Sequence, residues 1–108
     1  MVIQPGGPSV GGDSGATSSA ARAIPPLDSG DNPKWVHVSI VPNDKAGAAV
    51  LFGQAAVAAA TLVNGIGVSS QGPGVIINVA GNTHYRIISG DADTPYTMTP
   101  LAGVFTTR

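Results

Sequence analysis

From residue 34 onward the chain alternates apolar and polar residues with a period of two. In the segment KWVHVSIV, residues 34–41, Val36, Val38 and Ile40 occupy every second position. Successive side chains of a β-strand point to opposite faces, so these three are expected on one face and the residues between them on the other. The pattern predicts a half-buried strand at this point of the chain.

Short apolar runs separated by turn residues fill the rest of this region. The predicted strands after the first are AAVLFG (48–53), AAVAAATLV (55–63), VIINV (75–79), THYRIIS (83–89) and YTMTPLAGV (96–104). The run 55–63 is ambiguous because Ala favours helix while Val and Thr favour strand, and the regular spacing of turn signals around it favours strand. Pro100 predicts a sheet edge or a strand end, because proline cannot donate to the ladder.

Six or seven short strands without a convincing amphipathic helix predict an all-β protein. We expect a small antiparallel β-sandwich or barrel over residues 34–108. The turn segments PNDKAG (42–47) and GDADTP (90–95) and the glycines of GIG (65–67) and GPG (72–74) are expected to connect its strands.

Residues 1–33 have a different composition, rich in Gly, Pro, Ser and Ala. Such a segment buries too little apolar surface to offset its ordering entropy, so we expect an extended N-terminal arm that is flexible when free. Only ATSSAARAI (16–24) has the composition for a turn or two of helix before Pro25. The few apolar residues, which are the candidate contacts with a partner, are Val2, Ile3, Ile24 and Leu27.

The composition excludes several classes of protein. Without cysteine there is no disulfide and no thiolate site, and five Lys and Arg against six Asp leave no basic stripe for nucleic acid. The start of the chain has no signal-peptide pattern, and the apolar run 46–63 is interrupted and too weak to span a membrane. A small core rich in Ala and Gly is expected to need oligomerisation or docking on a larger partner.

The residues that could carry chemistry form no recognisable site. His37, His84 and an Asp could meet as a metal or acid–base site, although histidines on a sheet face or at an interface are expected. Asp91 and Asp93 could bind Ca²⁺, but they lack further ligands and a solvated turn is expected. No nucleophile elbow and no phosphate loop is present, so we expect no cofactor and no enzymatic activity.

The order of the segments resembles that of small virion proteins of tailed bacteriophages. The similarity rests on WVHVSIV, then AAVLFGQAAVAAATLVNGIGV, then GPGVIINVAGNTHYRIISGDADTPYTMTPLAG, and it covers residues 34–103. The resemblance implies a compact β-sandwich with a structural role, as a head decoration or cement protein or as a small tail or fibre part. It also implies synthesis in the host cytoplasm and a place in the virion.

A head decoration protein on the outer capsid surface is the function that we expect. Its partners would be the major capsid protein and further copies of itself, with a trimer as the expected assembly, and no nucleic acid or membrane partner is expected. Trp35, His37 and Tyr85 are the candidates for the subunit interface. The alternatives are a tail, collar or fibre component, or a receptor- or glycan-binding module in which Tyr85 and Tyr96 form a stacking platform.

Overall fold

All regular structure in the computed structural model is β-strand, over the described residues 4–15, 19–40, 47–57, 59–61, 64–69, 74–90 and 94–102. None of these segments forms a helix that is long and apolar enough to cross a membrane. The strands are β1 Gln4–Pro5, β2 Val10–Ser14, β3 Arg22–Ala23, β4 Trp35–Ile40, β5 Ala48–Gly53, β6 Ile66–Val68, β7 Val75–Asn78, β8 His84–Ser89 and β9 Thr94–Ala102.

The strands form two antiparallel sheets that pack face to face. The first sheet has the order β1-β9-β4-β7, with β2 also paired to β9, and the second has the order β3-β8-β5-β6. The predicted all-β fold with two antiparallel sheets is therefore confirmed. Six of the nine strands lie after residue 34, where six or seven were predicted.

The period-two pattern determines which side chains fill the space between the sheets. On β4 the residues Val36, Val38 and Ile40 are buried and the residues between them are half-buried, as the alternation predicts. The same alternation runs along β8 and β9. The core cluster draws on both sheets and includes Val36, Val38, Val50, Tyr85, Ile87, Tyr96 and Met98.

The strand predicted over residues 55–63 is wrong. Residues 54–56 form a turn, and the other described residues of that segment, 57 and 59–61, have no regular structure. A strand lies instead at Ile66–Val68, where it overlaps the turn predicted at 65–67 and pairs with β5. Alanines pack little surface against a neighbouring strand, whereas Ile66 and Val68 flank a small residue with the spacing that one sheet face requires. Of the turns predicted at 42–47 and 90–95, residues 42–46 and 91–93 lie outside the described residues, and Thr94 and Pro95 already belong to β9.

Pro100 does not mark a sheet edge, because β9 pairs with β4 on one side and with β1 and β2 on the other. Pro100 is in register with Val36, and its carbonyl oxygen accepts a hydrogen bond of 2.8 Å from the N–H of Gly6. The nitrogen of a strand residue points to the same side as its carbonyl. The missing N–H therefore lies where the chain passes from β1 to β2, and no ladder bond between β9 and β4 is lost.

The described part of the N-terminal lead lies along one side of the sandwich. Strands β1 and β2 pair with β9 of the first sheet, and β3 pairs with β8 of the second. The helix considered for 16–24 is absent from its described part, since Arg22–Ala23 is strand. A Cβ on Gly11 would lie 2.6 Å from the carbonyl oxygen of Tyr96, so the glycine permits the close approach of β2 to β9.

The outer faces of the two sheets differ in how they are covered. Described residues of the segment between β5 and β6 lie against the outer face of the second sheet, where Arg86 donates to the carbonyl of Val57 at 3.2 Å and Ala49 is buried. A Cβ on Gly65 would lie 3.1 Å from that of Ala49. On the first sheet the outward residues of β4 and of β9 up to Thr99 stay half-buried. The outer face of the second sheet is therefore covered in part by the residues after β5, and the outer face of the first sheet, formed by the outward side chains of β4, β7 and β9, is called the open face.

Replacing the core residue Ile87 by Ala is expected to destabilise the fold strongly. Ile87 is fully buried between the sheets, so the change leaves a cavity and should lower the free energy of unfolding by about 2–5 kcal/mol. The matched change Ile76→Ala, on the open face of β7, should cost less than about 1.5 kcal/mol. Urea unfolding of both variants measures the difference. Equal losses of unfolding free energy would contradict the placement of Ile87 in the core and of Ile76 on the open face.

Candidate functional site

A cleft of about 330 Å³ opens where the loop before β4 meets the end of β9. It is lined by Leu27, Asp31, Asn32, Lys34, Trp35, Leu101 and Ala102. Trp35 is the first residue of β4 and lies in register with Leu101 of β9 and Asn78 of β7, on the open face of the first sheet. The cleft is therefore continuous with that face.

Backbone hydrogen bonds hold the loop that forms one wall of the cleft. The N–H of Leu27 donates to the carbonyl of Asp31 at 2.9 Å, and the N–H of Gly30 donates to the carbonyl of Leu27 at 2.8 Å. Gly30 has a φ of 90°, which a residue with a side chain rarely adopts. The N–H of Asp28 donates to the carbonyl of Gly6 at 2.7 Å, so the lead fixes the loop against the sheet.

The cleft combines an apolar wall with polar groups of both signs. Leu27, Trp35 and Leu101 supply the apolar surface, whereas Asp31, Asn32 and Lys34 are exposed at the rim. The hydroxyl of Ser29 lies 3.2 Å from Oδ2 of Asp31 and donates to it. A carboxylate accepts several hydrogen bonds, so Asp31 keeps acceptor capacity towards the cleft.

The open face is defined here as the outward side chains of β4, β7 and β9, namely Trp35, His37, Ser39, Ile76, Asn78, Pro95, Thr97 and Thr99. None of these residues is Asp, Glu, Lys or Arg. Hydroxyl groups bond to one another across it, with Ser39 Oγ 2.9 Å from Thr97 Oγ1 and Ser9 Oγ 2.5 Å from Thr99 Oγ1. The face is therefore uncharged when histidine is neutral, and several of its hydroxyls bond within the chain.

A polar cluster inside the sandwich attaches the lead to both sheets. Arg22 of β3 donates from Nη1 to the hydroxyl of Tyr96 on β9, and its guanidinium carbon lies 5.9 Å from the centre of that ring. The hydroxyls of Tyr96 and Tyr85 lie 2.8 Å apart, and their rings meet edge to face. This cluster satisfies two phenols that are otherwise buried, and it fixes the position of β3.

Burial shifts the titration of one of these phenols. Burial first, and the hydrogen bond with Tyr96 second, raise the pKa of Tyr85 well above its ordinary value. Both effects favour the neutral phenol over the charged phenolate. Tyr85 therefore retains its proton in the folded chain at pH values where a tyrosine in an unfolded chain has lost it.

The structure brings together two of the contact residues predicted from the sequence and places the others apart. Leu27 and Trp35 line the same cleft, and His37 is half-buried on the open face beside it. Ile24, predicted as a capsid contact, is only 3% exposed and belongs to the core cluster. Val2 and Ile3 lie outside the described residues.

The tyrosine platform considered for a glycan-binding module is wrong. Tyr85 and Tyr96 are each 2% exposed and point into the core, where no ligand ring can stack on them. For the same reason Tyr85 does not offer its side chain to a subunit interface in this chain. Along β8 and β9, Tyr85 and Tyr96 occupy the alternate positions whose side chains are buried in the core.

The two histidines do not meet. His37 lies on the open face of the first sheet, whereas His84 points outward from the second sheet, where its Nδ1 is 2.8 Å from Thr83 Oγ1. The metal or acid–base site considered for this pair is therefore wrong. Among the described residues no group of three or more His, Cys, Asp or Glu could hold a metal ion. The calcium site considered at Asp91 and Asp93 lies outside the described residues.

Sequence reasoning missed five of the seven residues that line the cleft. Asp31, Asn32 and Lys34 precede Trp35 within a short polar segment, and this cluster beside the only tryptophan is a signal that could have indicated them. Leu101 and Ala102 carried no such signal. They reach the cleft only because β9 pairs with β4 in the observed register.

Comparisons of the chain with protein-family models, with curated proteins and with solved structures found no match.

The free energy of unfolding is expected to fall at alkaline pH because of Tyr85. Its raised pKa in the folded state contributes stability that is fully present below about pH 10, the ordinary value for tyrosine, and that is lost as the pH rises towards the folded-state value. Thermal unfolding between about pH 8 and pH 11 measures the slope. The control Tyr85→Phe should show a flatter dependence, and an unchanged slope would contradict the role of this phenol.

Proposed function

We propose that this chain is a structural protein of a tailed-bacteriophage virion, of the head decoration or cement type. It would bind the outer surface of the capsid and stabilise the particle. Its partners would be the major capsid protein and further copies of itself, with a trimer as the expected assembly. In this proposal the chain carries out no catalysis and binds neither nucleic acid nor membrane.

The observation that carries the proposal is the open face of the first sheet. Interface cores are depleted in charged residues because desolvating a charge costs free energy that a partner must offset. The outward side chains of β4, β7 and β9 that form the open face include the half-buried Trp35 and no Asp, Glu, Lys or Arg. On the second sheet, Val57 and Gly65 of the same chain lie against the outward residues Arg86 and Ala49. A protein surface of this kind is suited to contact with another protein.

The size and composition of the chain support the same proposal. The sandwich is small, and many of its core side chains are Ala and Val, which bury little area per residue. A particle surface that covers the open face would add the apolar burial that the isolated chain lacks. The resemblance of residues 34–103 to small virion proteins points to the same kind of partner.

The contact residues of this proposal differ from those expected from the sequence. Ile24 and Tyr85 belong to the core, so the contact is assigned to Leu27, Trp35 and His37 and to the hydroxyl-bearing residues of the open face. Because Ile24 packs in the core and Arg22 binds Tyr96, removing the whole lead would disturb the fold as well as any contact. Single substitutions on the open face therefore test the proposal more cleanly than a truncation.

The number of copies per particle distinguishes the head from the tail. Quantitative mass spectrometry of purified virions, referred to the major capsid protein, should find this chain at a simple fraction of the capsid subunit number if it decorates the head. A handful of copies per particle would instead indicate a tail, collar or fibre component. Absence from the particles would contradict both virion roles.

The variant Thr97→Arg is expected to bind much more weakly than the unmodified chain when it is added to virus particles that were prepared without this protein. Thr97 lies in the middle of the open face, in register with Ser39 on one side and Gly11 on the other. When the open face binds the particle, a guanidinium at this position would lose its water without gaining an opposite charge. The affinity of the chain for the particle should therefore fall at least about a hundredfold. Co-sedimentation with the particles measures it.

The matched control is Ala55→Arg, which adds the same side chain at an exposed turn position on the other side of the sandwich. It should bind particles like the unmodified chain, and both variants should keep the β-type circular dichroism spectrum. Equal binding by the two variants would contradict the assignment of the contact to the open face. Equal loss would show that the added charge, rather than its position, decides the result.

A further inference from the structure

The charged groups of the cleft limit the kind of ligand that fits it. Asp31 and Lys34 lie at the same rim, so the cleft has groups of both signs and no net charge from this pair. A cation would approach Lys34 as well as Asp31, and an anion would approach Asp31 as well as Lys34. Neither a cation nor an anion therefore gains a clear electrostatic advantage from Asp31 and Lys34 together, and this pair of charges favours a ligand without charge.

The polar groups also disfavour a purely apolar ligand. A hydrocarbon would pack against Leu27, Trp35 and Leu101, but it would displace water from Asp31, Asn32 and Lys34 without replacing the hydrogen bonds. Removing water from such groups without a new partner costs more than an ordinary apolar contact gains. The ligand must therefore offer donors and acceptors on one side and an apolar surface on the other.

A neutral sugar ring has this combination of properties. Its C–H groups form an apolar face that packs on an aromatic ring, and its hydroxyls both donate and accept. Asp31 can accept from two hydroxyls, Lys34 can donate to another, and the amide of Asn32 can do both. Trp35 supplies the aromatic wall, with Leu27 and Leu101 beside it. Each group of the cleft then has a partner of the matching kind.

The size and rigidity of the cleft fit one or two sugar units. A volume of about 330 Å³ lies at the lower end of the range of ligand sites, roughly 300–1,000 Å³. The wall that carries Asp31 is held in place by the backbone hydrogen bond from Leu27 to Asp31 and by the bond from Asp28 to Gly6. A wall that is already ordered loses little entropy on binding.

We propose that the Trp35 cleft binds a neutral saccharide unit, stacked on the indole and held by hydrogen bonds to Asp31, Asn32 and Lys34. The site stands apart from the tyrosines, which lie in the core. The cleft shares Leu27 and Trp35 with the capsid contact proposed above, but this proposal concerns the free chain and so does not depend on a role in a virion.

Fluorescence of the full chain tests the proposal directly, because Trp35 is its only tryptophan. The probes are the methyl glycosides of glucose, galactose and N-acetylglucosamine, together with the matching disaccharides. At least one of them should shift or quench the emission in a saturable way, with a dissociation constant roughly in the millimolar range that is common for small neutral ligands. No saturable change with any of these probes would overturn the proposal.

Three further probes test the chemistry of the site. Glucuronate adds a negative charge, glucosamine adds a positive charge, and cyclohexanol keeps a six-membered ring with a single hydroxyl. All three should bind more weakly than the best neutral sugar. Binding of cyclohexanol as tight as that of the sugar would show an apolar cleft and overturn the proposal. Tighter binding of either charged probe would overturn it as well.

The variants Asp31→Ala and Asp28→Ala form a matched pair in the same loop. Both residues are exposed, but only Asp31 lines the cleft. The first change should weaken sugar binding at least about tenfold, as expected for the loss of a hydrogen bond to a charged group, and the second should leave it unchanged. Equal affinities in both variants, at unchanged thermal stability, would overturn the assignment of Asp31. The result is independent of the copy number in virions, so either proposal can fail alone.

Discussion

The antiparallel pairing of β9 with strands on both of its edges is the interaction on which the rest of the structure depends. β9 is the longest strand, and it bonds to β4 on one side and to β1 and β2 on the other. Because strand side chains alternate, its register decides at once that Tyr96 and Met98 enter the core and that Thr97 and Thr99 reach the open face. It also brings Leu101 opposite Trp35. A shift of one residue would exchange these roles and dismantle the core, the open face and the cleft together.

Most of the strands after residue 34 could be predicted from the sequence, because each carries its own local signal. β4 and β8 alternate clearly, and β5 has the predicted bounds 48–53. The lead was harder to predict because its strands have no apolar period. Val10–Ser14 is paired because β9 offers a free edge and because glycine permits close approach, and both conditions belong to the tertiary structure. The prediction for 55–63 failed for a similar reason, because Val57 meets β8 through a hydrogen bond from Arg86 to its carbonyl oxygen and not as a paired strand.

The candidate site was less predictable than the fold. The sequence predicts Leu27 as a partner contact of the lead and Trp35 as a residue of the subunit interface, and the structure places both in one cleft. Tyr85 is predicted as an aromatic contact. It lies two residues from Ile87 on β8, however, so both side chains point to the same face of the sheet, and the apolar Ile87 already indicates that this face is the core. Which polar residues join Trp35 depends on how the loop 27–34 folds back on Gly6. That contact joins distant parts of the chain, and no local pattern encodes it.

The pairing of Gln4 with Ala102 has a consequence for how the chain acquires its fold. The first and last strands described here are neighbours in one sheet, and the central strand β4 also takes its place beside β9. Contacts of such large sequence separation are closed late and slowly, because the entropy of the intervening loop is lost before the contact is gained. During synthesis on the ribosome β1 and β2 therefore have no partner strand until β9 emerges, and β4 can pair only with β7 until then. The first sheet is therefore expected to be completed only once β9 has been made, and the edges of its other strands are unprotected until then.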